Sequence, residues 1–148
     1  MTSNNDNTGS EIQIRRQIDR FLSAFRNKDL DIMMSLYSPT MISFDIVPPL
    51  QDIGANTYRK VWQETFALFE GPIYIDIRDL KIIGDLELAF SHKLVHLKAT
   101  RKTGQKVDYW ERLTFCFQNF EDNWLIIHEH VSVPIDFETG RAVLNLER

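Results

Sequence analysis

Two patterns of apolar residues divide the chain into a helical first half and a strand-rich second half. Up to about residue 70, apolar positions recur every three or four residues, as on one face of an α-helix. After residue 72 they alternate with polar positions or form long runs between short turns, as in β-strands. This order predicts an α+β fold in which three N-terminal helices pack on one face of a strongly curved antiparallel sheet.

Three helices are expected in the first half. The first begins at Ser10, and Asp29 caps a second, shorter helix. The third carries apolar residues on one face between positions 58 and 69 and stops before Gly71 and Pro72, because both residues disfavour a continuing helix.

The chain is expected to form one folded domain with polar ends. Its 148 residues are enough to bury one core. We expect residues 1–10 to be a disordered tail, residues 11–134 to be the domain, and residues 135–148 to be a C-terminal extension.

Composition and charge exclude several classes of protein. A net charge of −4 without a basic run excludes a nucleic-acid partner, which needs clustered lysines and arginines. No apolar run reaches the ~20 residues that cross a membrane, so no membrane partner is expected. The single cysteine, Cys116, excludes an internal disulfide and is typical of a reducing compartment. We therefore expect a cytoplasmic protein.

The last strand, residues 124–134, carries unusually many polar side chains. Alternation along the strand places His128, His130 and Ser132 on one face together with Trp124. The neighbouring strand is expected to add to this face Trp110, Arg112, Thr114 and Cys116. We predict that the helices cover this face and that its polar residues form one wall of a ligand cavity.

The turns between strands predict the pairing. The turn at residues 121–123 places Arg112 beside Ser132, whereas a turn centred on Gly104 places His96 across from Glu111 on the opposite face. The four histidines are then split between the two faces of the sheet. No metal site and no cofactor are therefore predicted.

The opposite face of the same strands is also apolar. It is expected to carry Leu113, Phe115 and Val131. Because a solvated face would be mainly polar, we predict that a second copy of the chain covers it in a homodimer through the sheet.

The order of these elements resembles the nuclear transport factor 2-like superfamily, in particular its SnoaL-like and ketosteroid isomerase-like domains. The resemblance covers about residues 11 to 134. Its carriers are "FLSAFRNKDLDIMMSLYSP", "MISFD", "GANTYRKVWQETF" and the terminal "W…HEHVSVP". It implies a cone-shaped fold with a pocket at the open end of the bent sheet, and dimerisation through that sheet in many members.

The resemblance also implies a candidate for the general base. Isomerases of this family use an aspartate as base, with a tyrosine and a protonated aspartate as the oxyanion hole. Alignment on Tyr37 places the base at Asp45, whereas the tyrosine falls on Phe21 and the protonated aspartate near Thr114. If the chain is an enzyme, the resemblance and the strand pattern together make Asp45 or His130 its base, in isomerase-like or lyase-like chemistry.

Two functions of different classes remain open on the sequence. One is an enzyme of the isomerase, dehydratase or cyclase type, acting on a small, partly apolar molecule that is acidic or bears a carbonyl group. The other is a non-catalytic ligand-binding or dimeric assembly module. The candidate catalytic residues are Asp45 and His130. The candidate ligand contacts are Tyr58, Trp62, Trp110, Arg112, Thr114, His128 and Ser132, of which Arg112 would bind an anionic group.

Overall fold

In the computed structural model the chain forms an α+β domain built on a six-stranded sheet. The structure describes residues 4–148, and it describes side chains from residue 9 onward. The helices are α1 (Asn4–Arg26), α2 (Leu30–Ser35) and α3 (Ala55–Ala67). The strands are β1 (Tyr37–Phe44), β2 (Asp52–Ile53), β3 (Phe69–Gly84), β4 (Leu88–Arg101), β5 (Lys106–Phe120), β6 (Asn123–Ser132), β7 (Ile135–Asp136) and β8 (Arg141–Ala142).

The main sheet has the strand order β2-β1-β6-β5-β4-β3. Neighbouring strands are antiparallel except β1 and β6, which are parallel. Shifts of register interrupt β3 at two points, and such bulges bend a strand. The large curved sheet and the three helices confirm the predicted α+β class. No helix in the described range 4–148 is both long and apolar enough to span a membrane.

The sequence predicted the start of α2 correctly but not the start of α1. Helix α1 begins at Asn4 instead of Ser10, so most of the expected tail is helical, and residues 1–3 lie outside the described residues. Helix α2 is capped by Asp29 as predicted, and a carboxylate oxygen of Asp29 accepts a hydrogen bond of 3.1 Å from the backbone N–H of Ile32.

The core lies between the helices and one face of the sheet. The apolar stripe of α1 is buried from Ile14 to Phe25, as its spacing predicted. Tyr58 of α3 and Phe115 of β5 are both completely buried. The side-chain amide of Gln17 fixes α1 to the sheet, because it donates a hydrogen bond of 2.6 Å to the carbonyl oxygen of Trp124.

One bulge in β6 decides which face of the sheet each of its side chains takes. Phe117 pairs with Ile126, but the next pair is Cys116 with His128, so Ile127 is an extra residue in β6. Trp124 and Ile126 therefore face the helices together with Glu129 and Val131, all of them buried. The prediction that His128, His130 and Ser132 share the face of Trp124 is wrong for this reason.

The pairing of β5 with β6 next to the bulge is nonetheless as predicted. Arg112 pairs with Ser132, Thr114 with His130, and Cys116 with His128.

The pairing of β4 with β5 is shifted by one residue from the prediction. His96 pairs with Trp110, and Glu111 pairs with Val95, so the predicted His96–Glu111 pair is wrong. The cause is a longer turn: the backbone N–H of Arg101 bonds to the carbonyl of Gln105, and Gly104 adopts a φ of +90°. All four histidines consequently lie on the outer face, which we define as the face of the sheet away from the helices. Among the described residues, no group of three or more His, Cys, Asp and Glu side chains is arranged to hold a metal ion.

The segment after β6 returns along the molecule to β3. Strands β7 and β8 form a small hairpin, and the backbone N–H of Val143 donates a hydrogen bond of 2.8 Å to the carbonyl oxygen of Pro134. The guanidinium of Arg148 then binds the carboxylate of Asp79 in β3 through two hydrogen bonds, of 2.6 and 2.9 Å. We call residues 137–148 the C-terminal tail.

Candidate functional site

A cavity of about 690 Å³ lies between the helices and the inner face of the sheet. This volume is typical of sites that hold a small organic molecule. Its apolar wall is formed by α1, α3 and the inner positions of the strands, including Phe21, Phe25, Val61, Trp62, Ile75, Leu97, Leu113 and Val131.

Four carboxyl groups line this cavity; that of Asp108 is exposed, and the other three are buried or half-buried. Asp45 follows the end of β1, Glu111 belongs to β5, and Glu129 belongs to β6. Glu111 and Glu129 are only 8% and 2% exposed. Within the described part of the chain, no lysine, arginine or histidine lies within ion-pair distance of any of the three. Burial of a carboxylate without a cation is costly, so the pKa of each of these groups is raised.

Asp45 is held by two hydrogen bonds at the edge of the cavity. Its Oδ1 accepts a bond of 2.7 Å from the backbone N–H of Ile46, and its Oδ2 accepts a bond of 3.3 Å from the hydroxyl of Tyr58. Burial raises the pKa of Asp45, whereas these two bonds lower it. Asp45 is thus a positioned carboxylate that is more basic than an exposed aspartate.

Glu129 lies deeper in the core than Asp45. Its Oε2 accepts a hydrogen bond of 3.1 Å from the hydroxyl of Tyr37, and its Oε1 is buried without a hydrogen-bond partner in the described structure. Burial raises the pKa of Glu129 to about 7, and the nearby charge of Asp45 acts in the same direction. The hydroxyls of Tyr58 and Tyr37 act against this rise in the pKa of Glu129.

The pKa of Glu111 is raised further than that of Glu129. Burial and, to a smaller extent, the charge of Asp45 raise the pKa of Glu111 to about 8, against a lowering effect of the Tyr109 hydroxyl. Near neutral pH, Glu111 therefore carries a proton that it can donate. The cavity combines a carboxylic acid that donates with a carboxylate that accepts, which is the arrangement that separates acid and base roles in one site.

Three of the residues predicted from the sequence meet at this cavity. Asp45, Tyr58 and Trp62 all line it. The hydroxyl of Tyr58 bonds to Asp45, and the rings of Tyr58 and Trp62 meet edge to face with centroids 6.0 Å apart. The indole Nε1 of Trp62 is buried without a partner in the described structure.

The other predicted site residues lie on the outer face of the sheet. They are Trp110, Arg112, Thr114, His128, His130 and Ser132. Arg112 and His130 are exposed, and each neighbours residues in sequence that line the cavity from the other side. Because side chains alternate along a strand, the prediction that these six residues form a cavity wall is wrong.

The outer-face residues have partners of their own. The Nε of Arg112 donates a hydrogen bond of 3.0 Å to the hydroxyl of Ser132. The Nδ1 of His128 lies 2.8 Å from the carbonyl oxygen of Ile42, and the His130 ring lies 5.5 Å from that of Phe44. These contacts give each of these polar residues of β6 a partner within the protein, so no ligand is needed to explain their presence.

Sequence reasoning missed Glu111 and Glu129 as functional candidates. Both stand in phase with inner apolar residues, Glu111 with Leu113 and Glu129 with Val131. A carboxylate at a buried position of an alternating strand is the signal that marks them, because a charged residue seldom occupies such a position without a function or a partner.

Comparison with known proteins places this geometry in a family. The SnoaL-like domain family matches residues 14–136. No protein in a search of curated sequences matches the chain.

Solved structures share the fold over most of the chain. An NTF2-like protein of unknown function from Pseudomonas putida KT2440 is 27% identical, with a TM-score of 0.87 over 95% of this chain and 98% of that one. A ketosteroid isomerase-like protein from Erwinia carotovora atroseptica SCRI1043 is 16% identical, with a TM-score of 0.70 over 80% and 92%. The association domain of C. elegans CaMKII is 14% identical, with a TM-score of 0.68 over 88% and 100%.

The two comparisons agree with each other and with the fold described above. The family match spans the elements from α1 to β7, and the structural matches cover at least 80% of the chain. The chain belongs to the SnoaL-like family of the nuclear transport factor 2-like superfamily.

Proposed function

We propose that the protein binds a small, partly apolar, carbonyl-bearing molecule in its cavity and moves a proton on it, as an isomerase- or lyase-type enzyme. The helices and the curved sheet would enclose this molecule as a cone with one open end. The observation that carries the proposal is the presence of three buried or half-buried carboxyl groups, none with an ion-pair partner among the described residues, in a mainly apolar cavity. Apolar walls with a few convergent polar groups are typical of small-molecule sites.

The carboxyl groups are suited to different roles in such a reaction. Asp45 is the candidate base, because its two hydrogen bonds favour the carboxylate form that accepts a proton from carbon. Glu111 is the candidate donor, because it keeps its proton near neutral pH and can stabilise the oxygen on which negative charge develops. Glu129, which accepts a hydrogen bond from the Tyr37 hydroxyl, lies deeper than the other two groups and has a supporting role. His130, the alternative base in the sequence, lies on the outer face and is not used.

Proton exchange on a simple ketone tests this proposal without knowledge of the natural substrate. The protein is incubated with 2-tetralone in D₂O, and the loss of the α-proton signals is followed by NMR. We expect exchange above the buffer rate, a loss of about 100-fold or more in Asp45→Asn with retained binding, and a smaller loss in Glu111→Gln.

A matched variant controls for general effects of replacing an aspartate. Asp122→Asn makes the same change at an exposed turn residue whose φ of +67° an asparagine tolerates. It should leave exchange unchanged. Equal exchange in the wild type, Asp45→Asn and Asp122→Asn would remove the basis for the enzyme proposal.

A second candidate function, dimeric assembly through the sheet, is favoured by the outer face. This face exposes Phe44 and Phe90 by 38% and 39%, and the ring of Trp110 stacks on His96 with centroids 4.6 Å apart. Exposed aromatic patches commonly mark interaction sites. We infer that two copies pair through this face, which is the opposite face from the one that the sequence pattern indicated. The cytoplasmic location expected from the sequence stays a prediction.

Sedimentation velocity tests the assembly. We expect a dimer for the wild type and a monomer for Phe90→Glu, because the introduced carboxylate would be buried in the interface without a partner. Leu50→Glu is the control, since Leu50 is 95% exposed in the loop after β1 and lies off the sheet. A wild-type monomer at micromolar concentration would exclude the dimer.

A further inference from the structure

We infer that the cavity takes an amphipathic organic acid, whose apolar body fills the interior and whose anionic group binds Arg101 at the mouth, with Lys106 beside it. This inference rests on the proposed binding function and adds the class of ligand. It also moves the anion-binding role that the sequence assigned to Arg112 to a different arginine, on the other side of the sheet.

Arg101 and Lys106 are the two basic residues that line the cavity among the residues the structure describes. They lie at the end of the β4–β5 hairpin, where the cavity opens to solvent, and both are exposed. Arg101 is in phase with Leu97 along β4, and Leu97 lines the interior of the same cavity. The guanidinium therefore lies on the side of the hairpin that borders the opening.

The backbone around Arg101 is fixed by three contacts. Arg101 pairs with Phe69 of β3, its N–H bonds to the carbonyl of Gln105 at 2.8 Å, and the N–H of Lys102 bonds to the carbonyl of Leu68 at 2.9 Å. The guanidinium carbon lies 6.0 Å from the centre of the Phe69 ring, within the range of a cation–π contact. A residue held in this way loses little entropy when it binds a ligand.

The charge of Arg101 is not used inside the protein. Neither Arg101 nor Lys106 has an ion-pair partner in the range 4–148. The acidic residues near the opening do have partners: Asp108 lies 2.7 Å from the Nε2 of His96, and Asp45 accepts bonds from Ile46 and Tyr58. The mouth therefore presents free cationic donors, and a guanidinium can bind a carboxylate through two parallel hydrogen bonds.

The interior determines which way such a ligand enters. An anionic group placed in the interior would meet the like charge of the Asp45 carboxylate and lose its hydration, both of which are unfavourable. The apolar body gains from the same interior, which is lined mainly by aliphatic and aromatic side chains. The two ends of the cavity thus select a molecule with an apolar end and an acidic end, and they fix its orientation.

Two fluorescent dyes with the same body test this inference. 1-Anilinonaphthalene-8-sulfonate carries an anionic group, and N-phenyl-1-naphthylamine is the same molecule without it. Both are titrated into the intact protein, and each is used to displace the other, so that a shared site is established. We expect the anionic dye to bind the wild type more tightly, and Arg101→Gln to weaken it about tenfold while the neutral dye is unaffected.

Two further variants separate the effect of the planar guanidinium of Arg101 from the effect of its charge. Lys102→Gln removes the same charge from the adjacent residue, which does not line the cavity, and should change the affinity of either dye less than about twofold. Arg101→Lys keeps the charge without the planar fork and should give an intermediate loss. Equal affinity of the two dyes in the wild type, or equal losses in Arg101→Gln and Lys102→Gln, would overturn the inference while the cavity remained a binding site. Failure of the neutral dye to bind the wild type would instead overturn the proposed binding function, and the inference with it.

Discussion

The hydroxyl of Tyr58 donates a hydrogen bond of 3.3 Å to the carboxylate of Asp45 from helix α3, across the wall of the cavity. The ring of Tyr58 meets that of Tyr37 edge to face, with centroids 5.7 Å apart, and Tyr37 in turn donates to Glu129. Two acids, one after β1 and one in β6, are therefore connected through a pair of packed tyrosines. Removal of the Asp45 charge is expected to lower the pKa of Glu129, because that charge helps to raise it.

The first prediction concerns the acidic limb of the pH–rate profile. The Tyr58 hydroxyl lowers the pKa of Asp45, so Tyr58→Phe should raise that pKa and move the acidic limb of tetralone exchange to higher pH. Tyr74→Phe is the control, because Tyr74 is 48% exposed on β3 and does not line the cavity. An acidic limb at the same pH in Tyr58→Phe and the wild type would show that Asp45 is not the base.

The alkaline limb provides the second prediction. Glu111 loses its proton as the pH rises through about 8, and its ability to donate is lost with it. Exchange in the wild type should therefore decline above about pH 8, whereas Glu111→Gln, which donates at every pH, should show a lower rate without this decline. If the decline persists unchanged in Glu111→Gln, another group causes it.

The sequence predicted the elements of this fold better than the faces of its strands. The helices of the first half follow from their spacing, because Ile14 and Phe25 lie on one apolar stripe and Asp29 caps the next helix. The α+β class follows from the order of the two patterns. These features are local, and local patterns are what a single sequence displays.

The candidate site was only half predictable, because it depends on one inserted residue. Without the extra residue Ile127 in β6, strict alternation would put His128 beside Trp124 on the inner face, as the sequence pattern suggested. No turn residue or glycine marks this bulge in the segment 124–130. Asp45 was found because it follows a strand and matches a family motif. Glu129 was missed because its face was assigned wrongly.

A third prediction is that stability passes through a minimum near neutral pH. Folding raises the pKa of Glu129 from 4.5 to about 7 and that of Glu111 from 4.5 to about 8, so the folded state holds more protons than the unfolded chain in this window. The contribution of these two groups to stability is therefore most favourable below pH 4.5. It falls as the pH rises through their pKa values in the folded state. Lys93 acts in the opposite sense: burial lowers its pKa from 10.5 to about 7, so stability rises with pH between those values.

Urea unfolding measured from about pH 5 to about pH 9 checks this dependence. The free energy of unfolding should fall, reach a minimum between about 7 and 8, and rise again. Glu111→Gln should flatten the falling part, because the glutamine does not titrate. A free energy of unfolding that rises steadily through neutral pH would show that the pKa values of Glu111 and Glu129 are not raised.

The fourth prediction is that Lys93→Met stabilises the protein. The Lys93 side chain is 2% exposed, its Nζ lies 3.2 Å from the Ser91 hydroxyl and 3.9 Å from the centre of the Phe115 ring, and it has no ion-pair partner in the described structure. Methionine fills a similar volume without the cost of burying an amine, so the gain should be about 1–3 kcal/mol at neutral pH. Lys98→Met, on the exposed side of the same strand, should be nearly neutral. Destabilisation in Lys93→Met alone would show that the attraction between the amine and the charge of Glu129, which raises the pKa of Lys93, outweighs the cost of burial.

The last prediction concerns the C-terminal tail, residues 137–148. Leu144 lines the cavity, and the tail is held on the far side by the two hydrogen bonds from Arg148 to Asp79. Asp79→Asn keeps a residue that tolerates the φ of +57° there but removes the charge, so the tail should open more often. Hydrogen exchange followed by mass spectrometry should speed up in the tail and stay unchanged in β4 and β5. Arg141→Gln is the control, because Arg141 is exposed in β8 and has no ion pair among the described residues. Unchanged exchange in the tail of Asp79→Asn would mean that Leu144 is held by its apolar contacts and not by the ion pair.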